Sequence, residues 1–393
     1  MTGRRLSLGI LAGLGVLALG AWAWRALGAG RGGALAGPAI AIEATFAEIE
    51  AGRRTTPLVG EPAAGGERVV TFLARREGGQ APRIVSDVTG WGEHVDGTFD
   101  FSAGTMARVG QSDWYLLRAE VAPRARIEYL IAYGQADYRL DPHNPRHSAG
   151  PEAGGLAASE VVMPDYVPPE ELYGPRASPA GAVSEADIPG PCRVAVYRPA
   201  GAGGAGPYPL AVFLDSRSGQ ISRVLDWLIA RRAIEPVVAA FVGPRSAGDG
   251  HCSGAAAHAF VAGPLLTWLA SHAAGASDRQ RRAIVAISFG AKDALDIALE
   301  YPRAYSRLGL LVPGRRIGRA DIAGIAEHRG VRLQVAILAG RYDQANLPTA
   351  RAVRQALADA GHVVEYTEVP EGHSAVTWRN HLRAVLVPLF GAR

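Results

Sequence analysis

The stretch that most constrains this chain is Ala283-Ile-Val-Ala-Ile-Ser-Phe-Gly-Ala-Lys-Asp-Ala-Leu295. Its first five residues suit a buried strand. After Ser288 the pattern becomes helical, with Ala294, Leu295, Ala298 and Leu299 apolar and Asp293 and Asp296 between them, until Pro302 stops it. A serine at so sharp a bend needs small neighbours, and Ala286, Gly290 and Ala291 supply them. This reads as a strand–nucleophile–helix elbow, which exposes the hydroxyl and aims the next amide at a bound carbonyl oxygen. Ala286 stands where the usual G-x-S-x-G pattern has its first glycine.

Length and composition permit such a fold and exclude several others. The chain of 393 residues is long enough for two cores. Its 20% charged residues, 49 glycines and 26 prolines describe a globular protein with many loops. The net charge of +4 is small and no basic run interleaves with aromatics, so nucleic acid is not an expected partner. Two cysteines, Cys192 and Cys252, exclude a disulfide scaffold and a cysteine-based zinc site. Two free buried thiols are the default expectation; a single bridge is the alternative if the protein is exported.

At the N-terminus Arg4-Arg5 precedes the uncharged stretch Leu6–Trp24, and Ala34-Leu35-Ala36 follows as a cleavage-like site. The stretch exceeds an ordinary signal core and just reaches the length of a membrane span. Residues 1–37 are therefore expected to export the protein, as a cleaved signal or as a single anchor. With Arg4 and Arg5 inside, the bulk of an anchored chain would lie in the periplasm or cell envelope.

A short amphipathic helix is expected over about 39–50, followed by strands at Arg68–Ala74, Arg83–Asp87, Trp114–Val121 and Arg126–Tyr133. In the last, Ile127, Tyr129, Ile131 and Tyr133 share one face. Glycine-rich turns between these runs suggest a small β-sandwich over 38–150, and the Pro/Gly/Ala/Ser-rich residues 151–188 read as a linker with partial order. From 189 to 393 strands and helices alternate, which predicts a mostly parallel sheet with helices on both faces. Gly201-Ala-Gly-Gly-Ala-Gly206 matches a dinucleotide fingerprint literally. A strand follows it where that site needs a helix, so it reads as a loop and no cofactor is expected.

A serine hydroxyl needs a histidine base and an acid that orients it. On a hydrolase sheet these follow the nucleophile in the order acid, then histidine. Gly340-Arg-Tyr-Asp343 comes after a predicted strand, Leu333–Ala339, and Pro370-Glu-Gly-His373 after another, Val363–Val369. Ser288, Asp343 and His373 are thus the candidate catalytic residues. The backbone amides of Phe289 and Ser216 are the candidate oxyanion donors, and Asp215, Arg217 and Trp378 the candidate substrate contacts. His362 reads as structural or solvent-facing. His251, beside Cys252, lacks further ligands at metal spacing, so no metal is expected.

Cys192-Arg-Val-Ala-Val-Tyr-Arg-Pro, Phe213-Leu-Asp, the elbow, Gly340-Arg-Tyr-Asp343, and Gly372-His373 through Trp378-Arg379 resemble the esterase D / enterochelin esterase family of α/β-hydrolases. Upstream, Phe72-Leu-Ala-Arg75, Gly90-Trp91, Asp113-Trp114-Tyr115 and Asp141-Pro-His-Asn-Pro145 are similar to the early-set immunoglobulin-like domain in front of ferric enterochelin esterases. The resemblance implies a cofactor-free serine esterase with Ser288 as nucleophile, His373 as base and Asp343 as orienter, acting on siderophore esters such as the enterochelin trilactone. The chain departs from the family at Leu214-Asp215-Ser216, at Gly290-Ala291 and at Ser374, all at the rim of the pocket. Similar enzymes act on esterified polysaccharide, for which Trp91, Trp114 and Tyr115 would be a sugar platform; the competing reading makes at least two of them core. A non-catalytic binding protein on the same fold is the remaining alternative.

Overall fold

The computed structural model describes residues 39–94, 96–134, 136–148, 157–201, 206–214, 218–245, 251–328, 330 and 332–391. Two units are distinguished, Met1–Arg54 and Thr55–Arg393. Within the first, the described part is a helix over Ala39–Glu50, where the amphipathic pattern places one. Among the described residues no helix is long and apolar enough to cross a membrane, and the stretch Leu6–Trp24 lies outside them.

The second unit begins with short antiparallel strands. These are β1 (Leu58–Pro62), β2 (Arg68–Arg75), β3 (Arg83–Ser86), β4 (Ala107–Arg108), β5 (Trp114–Val121), β6 (Arg126–Ala132), β7 (Tyr138–Arg139) and β8 (Ser159–Val162). They form two sheets, β1-β2-β5-β4 and β3-β6-β7, with β8 also paired to β6. Phe72, Ile84, Tyr115, Ile127, Tyr129 and Ile131 pack into one core. Period-2 alternation puts Ile127, Tyr129 and Ile131 there, but Arg126 and Glu128 on the other face of β6 are buried too. Arg126 forms ion pairs with Glu160 and Glu128 there.

The larger sheet continues with β9 (Ala182–Ala186), β10 (Arg193–Arg198), β11 (Leu210–Leu214), β12 (Val238–Gly243), β13 (Arg282–Ile287), β14 (Arg307–Leu311), β15 (Gln334–Gly340) and β16 (Val363–Val369). Its order is β16-β15-β14-β13-β11-β12-β10-β9, parallel from β16 to β12 and antiparallel beyond. The central strands are apolar on both faces because helices cover both. Val212, Leu214, Ile284 and Ala286 face one core and Ala211, Phe213, Ala283 and Val285 the other. This is the expected α/β architecture.

Two expectations need correction. The stretch 151–188, read as a linker, supplies β8 to the small sheets and β9 to the large one, so its described part is bound by strand pairing. Both are edge strands of polar and small residues (Ser159-Glu-Val-Val, Ala182-Val-Ser-Glu-Ala), which carry a weak strand signal. The cysteines are also not free thiols. Cys192 and Cys252 form a disulfide, with Cα atoms 5.7 Å apart and 60 positions between them in sequence. The bridge closes a long loop that contains β10, β11 and β12. A loop of that length corresponds to roughly 4 kcal/mol of unfolded-state entropy. The Cys192→Ser, Cys252→Ser double variant should therefore melt several degrees lower than the parent, as scanning calorimetry under oxidising conditions will show.

Candidate active site

β13 ends at Ile287, and the chain turns through Ser288–Gly290 directly into the helix Ala291–Glu300. Ser288 adopts φ +47°, the left-handed conformation that an ordinary side chain resists and that a nucleophile elbow enforces. Ala286, Gly290 and Ala291 are buried around it, so bulk at any of these positions would push the turn open. The small neighbours and the strained serine are one feature.

The partners of Ser288 come from loops after the two strands at the sheet's end. Asp343 follows β15 and His373 follows β16. The loops are tied together: Tyr342 N donates to Glu371 O (3.0 Å) and Arg341 N to Val369 O (2.7 Å). Gly340 permits the crossing, since a Cβ there would sit 2.4 Å from Gly372 O. His373 Nδ1 then lies 2.6 Å from Asp343 Oδ2 and Nε2 lies 2.6 Å from Ser288 Oγ. A carboxylate can only accept, so Nδ1–H donates to it and Nε2 is left as the acceptor facing the hydroxyl.

Asp343 is buried and its other oxygen is also occupied. Asn346 Nδ2 donates to Oδ1 at 2.8 Å, and Asn346 Oδ1 in turn accepts from Arg315 N at 2.9 Å. Asn346 therefore fixes the carboxylate that fixes the imidazole. Burial by itself would lower the pKa of His373. The hydrogen bond and charge of Asp343, with Glu93 and Asp87 further off, outweigh it and hold the imidazole above its ordinary range.

The small sheets reach this centre through the turn that follows β3. Asp87 is buried there, accepting from Glu128 N (2.7 Å) and from Trp91 Nε1 (2.9 Å). Desolvation first, then the charge of Glu128, push its carboxyl up to about 7. It packs so closely on Gly372, next to the histidine, that a Cβ on that glycine would lie 1.8 Å from Asp87 Oδ1. Further ties are Ala122 N to Tyr342 Oη (2.9 Å), Gln344 Nε2 to Val88 O (3.2 Å) and the ion pair of Arg315 with Glu93 (2.5 Å). A cleft of about 200 Å³ lies beside the histidine, lined by Gly90, Trp91, Glu93, Tyr342, Asp343, Gln344 and His373.

On the nucleophile's other flank Phe289 is 48% exposed. Its ring stacks on His251 (4.5 Å between centroids) and takes the Arg316 guanidinium at 4.4 Å. Arg316 also donates to Phe289 O and pairs with Asp293, which is held in turn by His258 (2.8 Å). Phe289 itself lies in the turn Ser288–Gly290 between β13 and the helix Ala291–Glu300.

The remaining sequence candidates fare differently. Ser216, Asp215 and Arg217 lie outside the described residues, as do residues 202–205 of the glycine-rich loop. Trp378, expected at the substrate, is half-buried on a short helix and packs against the core on the β11 side that holds Phe213. Trp114 and Tyr115 are buried core residues, and of the three proposed platform aromatics Trp91 is the one in the cleft. His362 is buried and accepts from Leu333 N at 3.2 Å, a structural place. No group of acidic, histidine or cysteine side chains among the described residues could hold a metal. Asp87, Glu93 and Asn346 were not singled out by sequence reasoning. Each matters through contacts with residues far away in the chain, which leave no local pattern.

The sheet order, the elbow and the two strand-end loops define an α/β-hydrolase fold. No protein-family model and no curated protein matches the chain. Solved structures do. The ferric enterobactin esterase of Salmonella typhimurium superposes with a TM-score of 0.62 at 18% identity, over 88% of this chain and 98% of that one. The Shigella flexneri enterobactin esterase, crystallised in the presence of enterobactin, gives 0.60 at 19% identity over 86% and 96%.

Proposed function

We propose that the protein is a serine hydrolase of carboxylic esters. The observation that carries this is the unbroken hydrogen-bond chain Asp343–His373–Ser288 on a serine held at φ +47°. Ser288 Oγ attacks the ester carbonyl carbon while its proton passes to His373 Nε2. The oxyanion is met by the amide of Phe289 and, on this reading, that of Ser216. The imidazolium gives its proton to the departing alkoxide, leaving an acyl-enzyme. Water, deprotonated by the same histidine, releases the acid.

A fluorophosphonate probe tests this directly. It should attach to Ser288, located by peptide mass spectrometry, in a protein that hydrolyses p-nitrophenyl acetate and butyrate. An unlabelled serine together with no ester turnover would leave a binding protein on a hydrolase fold. The base works only when neutral, so activity is lost as pH falls through the pKa of His373. Because that pKa is raised, the acidic limb of kcat/KM should have its midpoint above the ordinary imidazole range in a pH–rate profile.

Similarity to enterobactin esterases over nearly the whole chain supports a siderophore ester as substrate. A second reading, an esterified sugar, is favoured by Trp91 at the cleft. The disulfide and the apolar stretch Leu6–Trp24 both support a place outside the cytoplasm, in the periplasm or cell envelope.

A further inference from the structure

Phe289 follows Ser288, and within the reading of that serine as the nucleophile its amide is an oxyanion donor. The left-handed Ser288 (φ +47°) and Phe289 share one short turn, Ser288–Gly290. A backbone held in a sparsely populated conformation persists only where its surroundings impose it. On the inner side the buried Ala286, Gly290 and Ala291 do so. On the outer side stands Phe289 with its half-exposed ring, so the hold there must come from whatever covers that ring.

Arg316 and His251 cover it. Arg316 places its guanidinium 4.4 Å from the ring centroid, donates to Phe289 O and pairs with Asp293. His258, buried, braces that pair from behind, with Nε2 2.8 Å from Asp293 Oδ1. His251 stacks its imidazole on the ring, the centroids 4.5 Å apart and the planes within 20°. His251 is exposed, however, and stacking there must offset the entropy of ordering its own segment. A covalent tie close by lowers that cost.

The next residue supplies the tie. Cys252 is bonded to Cys192, which is buried and immediately precedes β10. β10 runs antiparallel to β12, with Arg193 opposite Gly243. It therefore begins at the edge of the sheet where β12, β11 and β13 end, which is the edge that carries the elbow. Three strand spacings, roughly 14 Å, separate β10 from β13 along that edge. The stretch from His251 to His258 bridges them, running from the disulfide into the helix Ala255–Ala262. The direct hold on Phe289 by His251 and the indirect one through His258, Asp293 and Arg316 both come from this stretch.

We propose that the Cys192–Cys252 disulfide positions the nucleophile: by fixing His251 against Phe289 it holds the turn that aims Ser288 Oγ and the Phe289 amide. His251 is a positioning residue and acts through Phe289. The bridge then serves the reaction as well as the stability of the fold.

The test is a double-mutant cycle on the purified chain, run well below every variant's melting point. Its readouts are p-nitrophenyl butyrate turnover and the rate of fluorophosphonate labelling at Ser288. Cys192→Ser with Cys252→Ser, and His251→Ala by itself, should each lower kcat and the labelling rate by about 5- to 30-fold, with KM nearly unchanged. That is less than the roughly 10²- to 10³-fold cost of losing a whole oxyanion donor. The three substitutions together should cost no more than the cysteine pair, because the bridge acts through the histidine. His251→Phe, which keeps a ring to stack, should recover most of the activity. Melting separates the two duties: the cysteine variant melts several degrees lower, and His251→Ala within about a degree of the parent. His251→Ala and His251→Phe retain the bridge, so they decide the matter even if the cysteine variant does not fold. A cysteine variant with lowered melting but parental kcat and labelling rate overturns the proposal. Parental kcat in His251→Ala, or losses that multiply in the triple variant, overturn it too. In those cases the parent still takes the label and turns over the ester, so the serine hydrolase stands. A parent that does neither removes the hydrolase and the positioning role together.

Discussion

Ser288→Ala is expected to lower kcat for every ester the protein cleaves by roughly 10⁴- to 10⁶-fold, with little change in substrate affinity. The alanine removes the atom that forms the covalent bond and leaves the cleft walls as they are. Alanine at φ +47° is under the same backbone strain as serine, so stability should barely move. Stopped-assay turnover of p-nitrophenyl butyrate beside a thermal melt would check both halves. A variant that retains more than about a hundredth of parental kcat would show that another group carries the reaction.

Asp343→Asn should cost nearly as much, roughly 10⁴-fold in kcat, although the side chain is almost isosteric. The carboxylate accepts from His373 Nδ1 and from Asn346 Nδ2. An asparagine can satisfy only one of them with its oxygen. Turning its amide toward the imidazole forces Nδ1 to accept, which puts the proton on Nε2, where it faces the hydroxyl it should be receiving from. The pH profile separates this from simple misfolding. With the carboxylate's hydrogen bond and charge gone, burial dominates the imidazole, so its acidic limb should move to lower pH than in the parent. A folded variant with an unshifted limb would show that Asp343 does not set the state of His373.

How much of this was legible in the sequence follows from where the information lies. The triad candidates were readable because each sits just past the C-terminal end of a parallel strand with a strong apolar signal. The structure brings His373 within hydrogen-bond reach of both Ser288 and Asp343. β14 was not readable: Arg307-Leu-Gly-Leu-Leu is short and has glycine at its centre. It is a central strand because Val285 and Val385 fill the space beside Gly309, where a Cβ would meet them at 3.1 and 2.8 Å. The apolar stretch before β13 is two helices, Ala255–Ala262 and Pro264–His272, because Pro264 starts a new one. The disulfide was equally silent, since two cysteines far apart in sequence acquire a geometry only after the sheet has formed. Asp87 is the sharpest case. An aspartate after a short strand looks like a turn residue, and only the fold reveals that it lies against the histidine loop.

That contact between Asp87 and Gly372 bears on how the molecule can be taken apart. The carboxyl group fills space directly under the residue that precedes the base, and it comes from the turn after β3. A fragment starting at β9 would keep every atom of the triad yet admit solvent beneath the histidine, and the imidazole would gain room to swing. The upstream strands are in this sense the floor of the reaction chamber, and a graft of the downstream half onto another carrier would need to bring its own floor.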